Sequence, residues 1–161
     1  MDDAQLEWTQ ASNTFDFIHV RGLSGCISDW PALYSEAFRT TKPGGWLENV
    51  EMDMHLKSDN GSVSPGHILF DWATPFIESG DKVGRTFDVA GKMKGWMEDA
   101  GFVNVTEKRY KIPFGGWSSD PKVEKLGRWN QFFYTFDLEG FVLLVLIERM
   151  KVCSLFVIHI Y

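Results

Sequence analysis

The sequence predicts an α/β fold, a partial and mainly parallel sheet with flanking helices. Three observations carry this. Phe15 to Val20 (FDFIHV) is a short apolar run after the polar Ser12-Asn13-Thr14, as in a buried strand. Trp30, Leu33, Tyr34, Ala37 and Phe38 then recur at spacings of three and four, which makes one apolar helical face. Trp46 to Leu56 alternates in part and follows directly on a Pro43-Gly44-Gly45 break, as in a second strand. Strand, helix and strand joined this closely form a βαβ unit, with parallel strands and a right-handed crossover.

The elements follow in order. Gly22 and Gly25 mark a loop after the first strand. Ser28 or Asp29 can cap the helix, with Pro31 tolerated in its first turn. Lys57 to Ser62 is a polar loop, and Ser64-Pro65 opens a helix through Ile68, Leu69 and Trp72. Pro75 should kink or split that helix, and Gly84 closes the region. Asp88 suits an N-cap for a helix whose stripe is Val89, Met93, Trp96, Met97 and Ala100, with Gly101 just past its end. Val103 to Ile112 reads as a third strand, ended by Pro113 and Gly115-Gly116. Asp120-Pro121 begins a last helix with Val123, Leu126, Asn130 and Phe133 in line, and Gly140 is placed to break it.

The chain has 161 residues, which suits one domain, and its 44% hydrophobic content with seven Trp and thirteen Phe suffices for a core. A net charge of −6 and the lack of any basic run longer than two residues argue against nucleic acid as a partner. The two cysteines, Cys26 and Cys153, suggest neither a metal spacing nor a disulfide framework, which favours a reducing compartment. The acidic start, Met1-Asp2-Asp3, does not fit a signal peptide, so the expectation is a cytoplasmic or nuclear protein that is not secreted. Phe141 to Tyr161 is apolar, but Glu148, Arg149 and Lys151 divide it into runs short of the roughly 20 residues of a membrane span. No HExxH, CxxC, P-loop or GxSxG string occurs, and His19, His55, His67 and His159 are too scattered to suggest a metal site.

The order of five segments is more informative than any one of them. FDFIHVRGL (Phe15 to Leu23), W-P-x-L-x-x-E-A-x-R (Trp30 to Arg39) and KPGGWLE (Lys42 to Glu48) come first. GRTFDVAGKMKGWMEDAGFVNV (Gly84 to Val105) and P-x-G-x-W-x-x-D-P (Pro113 to Pro121) follow. The set resembles the fungal LaeA-like class I S-adenosylmethionine-dependent methyltransferases from Asp2 to about Arg149, with the first and third segments similar to motifs IV and V. The resemblance implies an incomplete Rossmann-like methyltransferase fold over residues 1–150, with 151–161 as a non-family tail.

It also implies a site. Asp3-Ala4, with Asp2 beside it, falls where the family places its acidic residue at the adenine, and Trp8 lies near this corner. A carboxylate there can accept from the exocyclic amine, and the next backbone N–H can reach a ring nitrogen. His19, Val20 and Arg21 end the first strand, where ligands of open α/β sheets bind. His19 is the candidate catalytic base for a hydroxyl or amine acceptor, against the ordinary alternative of a neutral histidine satisfied by backbone. Glu48 and Glu51 follow the start of the second strand, where one could face the site, though strand-end acids are more often solvated. Arg85 and Trp117 are substrate-side candidates, weighed against a local salt bridge and ordinary packing.

Two departures temper the resemblance. The family's glycine-rich G-x-G-x-G-like loop, whose backbone approaches the cofactor, has no counterpart before Asp2. Lys151 to Tyr161 (KVCSLFVIHIY) leaves the family pattern, and its Lys-Val-Cys start matches a translated intron boundary. The expectation is therefore a methyltransferase-family protein acting in or regulating fungal secondary metabolism, impaired by loss of the loop and marginally stable on its own. Its cofactor would be S-adenosylmethionine and its partner a small-molecule or protein methyl acceptor, with no membrane role. The alternative is a non-catalytic interaction module that keeps the scaffold and binds a protein partner.

Overall fold

In the computed structural model the described residues are 3–136. Strand β1 (Phe15–Arg21) leads through a loop to helix α1 (Trp30–Thr40), which returns the chain to strand β2 (Thr41–Val50). The strands pair in parallel as a two-stranded sheet, with Ile18 opposite Leu47, His19 opposite Glu48 and Val20 opposite Asn49. A 3-10 turn (Asp71–Ala73), α2 (Thr74–Lys82), α3 (Met93–Asp99) and α4 (Pro121–Phe136) follow. This is the expected partial α/β architecture.

The alternation of β1 decides which face is covered. Ile18 and Val20 are fully buried, whereas Phe17 and Arg21 are exposed on the other side and His19 is half-buried. The buried face packs on α1 through Trp30, Leu33, Tyr34 and Ala37, and α3 adds Met97 and Trp96 to the same cluster. The Trp30 and Trp96 rings stack with centroids 6.1 Å apart. α1 starts where expected, because Asp29 accepts the Ala32 N–H at 2.9 Å and Pro31 occupies the first turn.

The segment before β1 is pinned to this layer. Glu36 and Arg39 form an ion pair at 2.7 Å on α1. Glu36 also accepts the Trp8 N–H at 2.9 Å, and Arg39 donates to the carbonyls of Trp8 and Gln10 at 3.0 Å each. A second cluster gathers Phe76 and Phe87 with Met54, Trp72 and Ile77. The loop after β1 touches it at Gly25: with φ at +76°, a Cβ there would lie 2.4 Å from the Phe87 ring.

Several boundaries differ from the sequence expectation. β2 starts at Thr41, so Pro43-Gly44-Gly45 is a break in the strand's pairing, seen as a register irregularity between Phe15 and Phe17. β2 ends at Val50, and the 52–56 stretch is not strand. Pro75 opens α2 and does not kink it, since a proline in the first turn has no intrahelical N–H to lose. Asp88 forms an ion pair with Lys92 at 2.9 Å, and α3 begins only at Met93. The end of α3 is as expected: Gly101 has φ at +109°, and the Gly101 and Phe102 N–H groups return to Glu98 and Met97 in a Schellman arrangement. Residues 103–112 form no strand.

Cys26 is buried in the main core. Cys153, Gly140 and the 151–161 tail lie outside the described residues. Among the described residues no helix is long and apolar enough to cross a membrane.

Candidate functional site

The carboxyl ends of β1 and β2 form the mouth of the unit. His19 stands on the outward face of β1, and Glu48 is its register partner on β2. The two meet at 2.9 Å between His19 Nδ1 and Glu48 Oε2. Phe17 lies beside the imidazole, with ring centroids 6.3 Å apart and planes 24° from parallel. A carboxylate on Nδ1 orients the ring and favours the tautomer whose Nε2 carries the free lone pair. His19 is thus held by a side chain, and the alternative of a backbone-satisfied histidine does not describe its Nδ1.

Val20 belongs to the same strand end, but its side chain is buried toward α1. Only its backbone can meet a ligand. Arg21 is exposed at the rim. Beyond it Gly22, with φ at +66°, donates to Val50 O at 3.1 Å and turns the chain across the end of β2.

The corner around Asp3 and Ala4 is a turn built on α1. Asp3 accepts the Gln5 N–H through its carboxylate at 3.0 Å and the Leu6 N–H through its carbonyl at 3.1 Å. The Trp8 indole donates to Ala4 O at 3.1 Å. The Gln5 amide oxygen accepts both the N–H and the hydroxyl of Ser28, at 2.9 Å each, which joins the turn to the residue before the α1 cap. Asp2 lies outside the described residues.

The two substrate-side candidates part company. Arg85 follows the turn closed by Gly84, and its N–H donates to Gly80 O at 2.8 Å. The next residue, Thr86, accepts the Gly25 N–H at 2.9 Å, so the Arg85 segment abuts the loop after β1. Trp117 is 74% exposed in the turn region ahead of α4. That region is tied to α4 by Gly115 N–H to Gly127 O at 3.0 Å and by Asn130 to Pro113 O at 3.0 Å.

Glu51 is the residue that sequence reasoning underrated. Strand-end acids are commonly solvated, and Glu48 is. Glu51 is instead turned inward, where its carboxylate accepts the Leu23 N–H at 2.8 Å, the Ser24 N–H at 3.1 Å and the Ser24 hydroxyl at 2.8 Å. Burial pushes its carboxyl above the usual range, against the opposing pull of these donors. The signal was its parity: Leu47, Asn49 and Glu51 share the helix-facing side of β2 and its continuation. On that side Asn49 donates to the buried Tyr34 hydroxyl at 2.5 Å, and burial raises the Tyr34 phenol. Among the described residues no group of three or more His, Cys, Asp or Glu is placed to hold a metal ion.

Comparison with known proteins gives these contacts a context. Residues 1–107 match the family model described as a methyltransferase domain. The chain is 34% identical over 141 residues to methyltransferase pytC of Aspergillus terreus, covering 88% of this chain and 43% of that protein. It is 29% identical over 139 residues to secondary metabolism regulator LAE1 of Cochliobolus heterostrophus, covering 86% and 45%. It is 26% identical over 140 residues to protein-methionine methyltransferase laeA of Emericella nidulans, covering 86% and 37%. The chain spans less than half the length of each of these relatives. No solved structure matches it. With the family model covering most of the chain and a parallel βαβ unit beneath the match, the chain belongs to the methyltransferase-domain family and has LaeA-like relatives in fungal secondary metabolism.

Proposed function

We propose that this chain supplies the adenine corner and the acceptor side of an S-adenosylmethionine-dependent methyltransferase, acting on a small molecule or a protein side chain in fungal secondary metabolism. The observation that carries the reading is the His19–Glu48 pair at the ends of two parallel strands. Binding beyond the carboxyl ends of strands is the rule for open α/β sheets.

The residues present fit the adenine end of the cofactor. Adenine needs an acceptor for its exocyclic amine and a donor for a ring nitrogen. Asp3 offers an exposed carboxylate, of which one oxygen caps Gln5. The turn's bonds use the Asp3 carbonyl, the Asp3 carboxylate and the Ala4 carbonyl, and do not draw on the Ala4 N–H. When bound, the cofactor supplies an electrophilic methyl group on a sulfonium.

The chain's own residues then align and deprotonate. Arg21 and the loop after it line the rim. His19 Nε2 takes the proton of a hydroxyl or amine acceptor, while Glu48 on Nδ1 stabilises the imidazolium that forms. Alignment and exclusion of water supply much of the rate in such a displacement. A thioether acceptor has no proton to lose and would not use His19.

Calorimetric titration with S-adenosylmethionine tests the cofactor reading. Micromolar affinity that weakens in Asp3→Ala is the expected result, and no detectable binding sinks it. His19→Ala should lower methyl transfer to a hydroxyl or amine by about 10²–10⁴-fold without changing cofactor affinity. Unchanged turnover in that variant would reject His19 as the base and point to an acceptor without a proton. A second reading is a non-catalytic module that binds a protein. It is favoured by the outward sheet face, where Phe17, Trp46 and Val50 are exposed beside the His19–Glu48 pair.

A further inference from the structure

We infer that Glu51 is a positioning residue, whose half-buried carboxylate tethers the loop after β1 to the end of β2 and so fixes the rim of the strand mouth. The geometry is specific. Both carboxylate oxygens are used: Oε1 takes the Leu23 N–H, and Oε2 takes the N–H and hydroxyl of Ser24. Gly22 adds its own N–H to Val50 O, one residue before Glu51. Three consecutive loop residues are thus held by two consecutive residues at the end of β2.

A tether of this kind has a reason to be a carboxylate. The loop must leave β1 and reach the N-terminus of α1 while turning its backbone N–H groups inward, where no strand partner serves them. Orphaned buried N–H groups are costly, and one carboxylate can satisfy two of them and a hydroxyl together. Among the described residues no Lys, Arg or His forms an ion pair with Glu51, so its charge is balanced by N–H and O–H donors alone. Burial works against that charge. Glu51 is therefore a poor contributor to global stability, yet its loss frees the loop. Such a balance suits a residue kept for geometry.

The loop is where the rest of the site converges. Arg21 precedes it, Gly25 binds Thr86 beside Arg85, and Leu23 is buried in the main core. Slack at Leu23 and Ser24 reaches both the rim and the Arg85 segment. On the carboxylate's own side, Asn49 and Tyr34 continue the polar line into the sheet, with Asn49 Oδ1 buried and unpaired. Glu51 thus closes the outer end of a buried polar row that runs along β2.

Amide hydrogen exchange of the whole chain tests this, in the wild type, Glu51→Gln and Ser24→Ala. In Glu51→Gln the Leu23 and Ser24 amides should exchange about tenfold faster or more, the size of one lost charged hydrogen bond. The Ile18 and Val20 amides of β1 should stay within about twofold, since the ladder is untouched. Ser24→Ala removes only the hydroxyl and should speed the amide at position 24 by about two- to fivefold, less than Glu51→Gln does. Unchanged Leu23 and Ser24 exchange in Glu51→Gln overturns the proposal, and so does an equal acceleration of Ile18 and Val20, which marks a purely structural role. If Glu51→Gln does not fold, Ser24→Ala decides alone: no acceleration at position 24 refutes the tether. The role toward the methyl donor rests on the methyltransferase reading, and a parallel titration with S-adenosylmethionine should show about tenfold weaker binding in Glu51→Gln. Failure of the wild type to bind sinks that reading and leaves the exchange comparison standing on its own.

Discussion

Residues 15–50 and residues 51–136 both contain stretches of alternating, strand-like sequence, but only the first region forms strands. In the first, β1 and β2 pair with each other and α1 covers one face, so the backbone groups and the apolar side chains are served together. In the second, the stretch from 103 to 112 alternates and is rich in strand-forming residues, yet it forms no ladder. Val103 and Tyr110 are 82% and 80% exposed. A strand is a pairing, and apolar alternation supplies only one of its two requirements. Helices satisfy their own backbone, which is why α2, α3 and α4 form in the second region without strands of its own.

Two tryptophans give the largest test of this contrast. Trp30 is 2% exposed at the centre of the first region, whereas Trp129 on α4 is 62% exposed. Trp30→Ala should cost about 3–5 kcal/mol of unfolding free energy in a denaturant titration. Trp129→Ala should stay within about 0.5 kcal/mol, as surface changes usually do. Equal losses would mean that the second region is packed as tightly as the first. A smaller effect is expected at the seam between the two. Gly25 has φ at +76° and faces the Phe87 ring, so Gly25→Ala adds both backbone strain and a clash. We expect a loss of about 1–3 kcal/mol, with faster exchange at Gly25 and Leu23 as the local sign. A variant as stable as the wild type would show that the two clusters are not coupled through this loop.

The same contrast sets how much the sequence could tell. The βαβ unit was legible because its signals are local and redundant: the FDFIHV run, the Asp29 cap and the stripe of Trp30, Leu33, Tyr34 and Ala37. The C-terminal signal of α3 was legible for the same reason, since Gly101 and Phe102 complete a motif within one turn. The start of α3 was misplaced because Asp88 has two uses, and an ion pair with Lys92 took the one that capping would have needed. Of the candidate site, the placement of His19 at a strand end followed from the sheet rule, but its partner did not. Glu48 meets His19 only through the β1–β2 register, which depends on the irregular Pro43-Gly44-Gly45 passage. Glu51 was hidden for a similar reason: its burial follows from the loop folding back over the end of β2, a contact between residues 27 or 28 apart in the chain.

The finest test concerns how the second region holds together without a ladder. Asp53 accepts the His55 N–H at 3.0 Å, the His55 ring Nδ1 at 2.8 Å and the Lys57 ammonium at 3.0 Å. Burial raises its carboxyl, but these bonds together outweigh it and hold the group at about 2, below its ordinary 3.8. A carboxyl depressed in the folded state adds stability above its unfolded value and loses it as the pH falls through its folded value. The contribution should therefore be present at neutral pH, decline below about 3.8 and vanish near 2. Asp53 is partly exposed, so the gain is small and sensitive to salt. The stability difference between wild type and Asp53→Asn should accordingly be flat at neutral pH and shrink in the acid range. The His55 amide should also lose protection at a higher pH than Ile18, because side-chain contacts hold the second region and a backbone ladder holds the first. A difference that stays flat down to pH 2, or simultaneous loss at His55 and Ile18, would show that the two regions share one means of support.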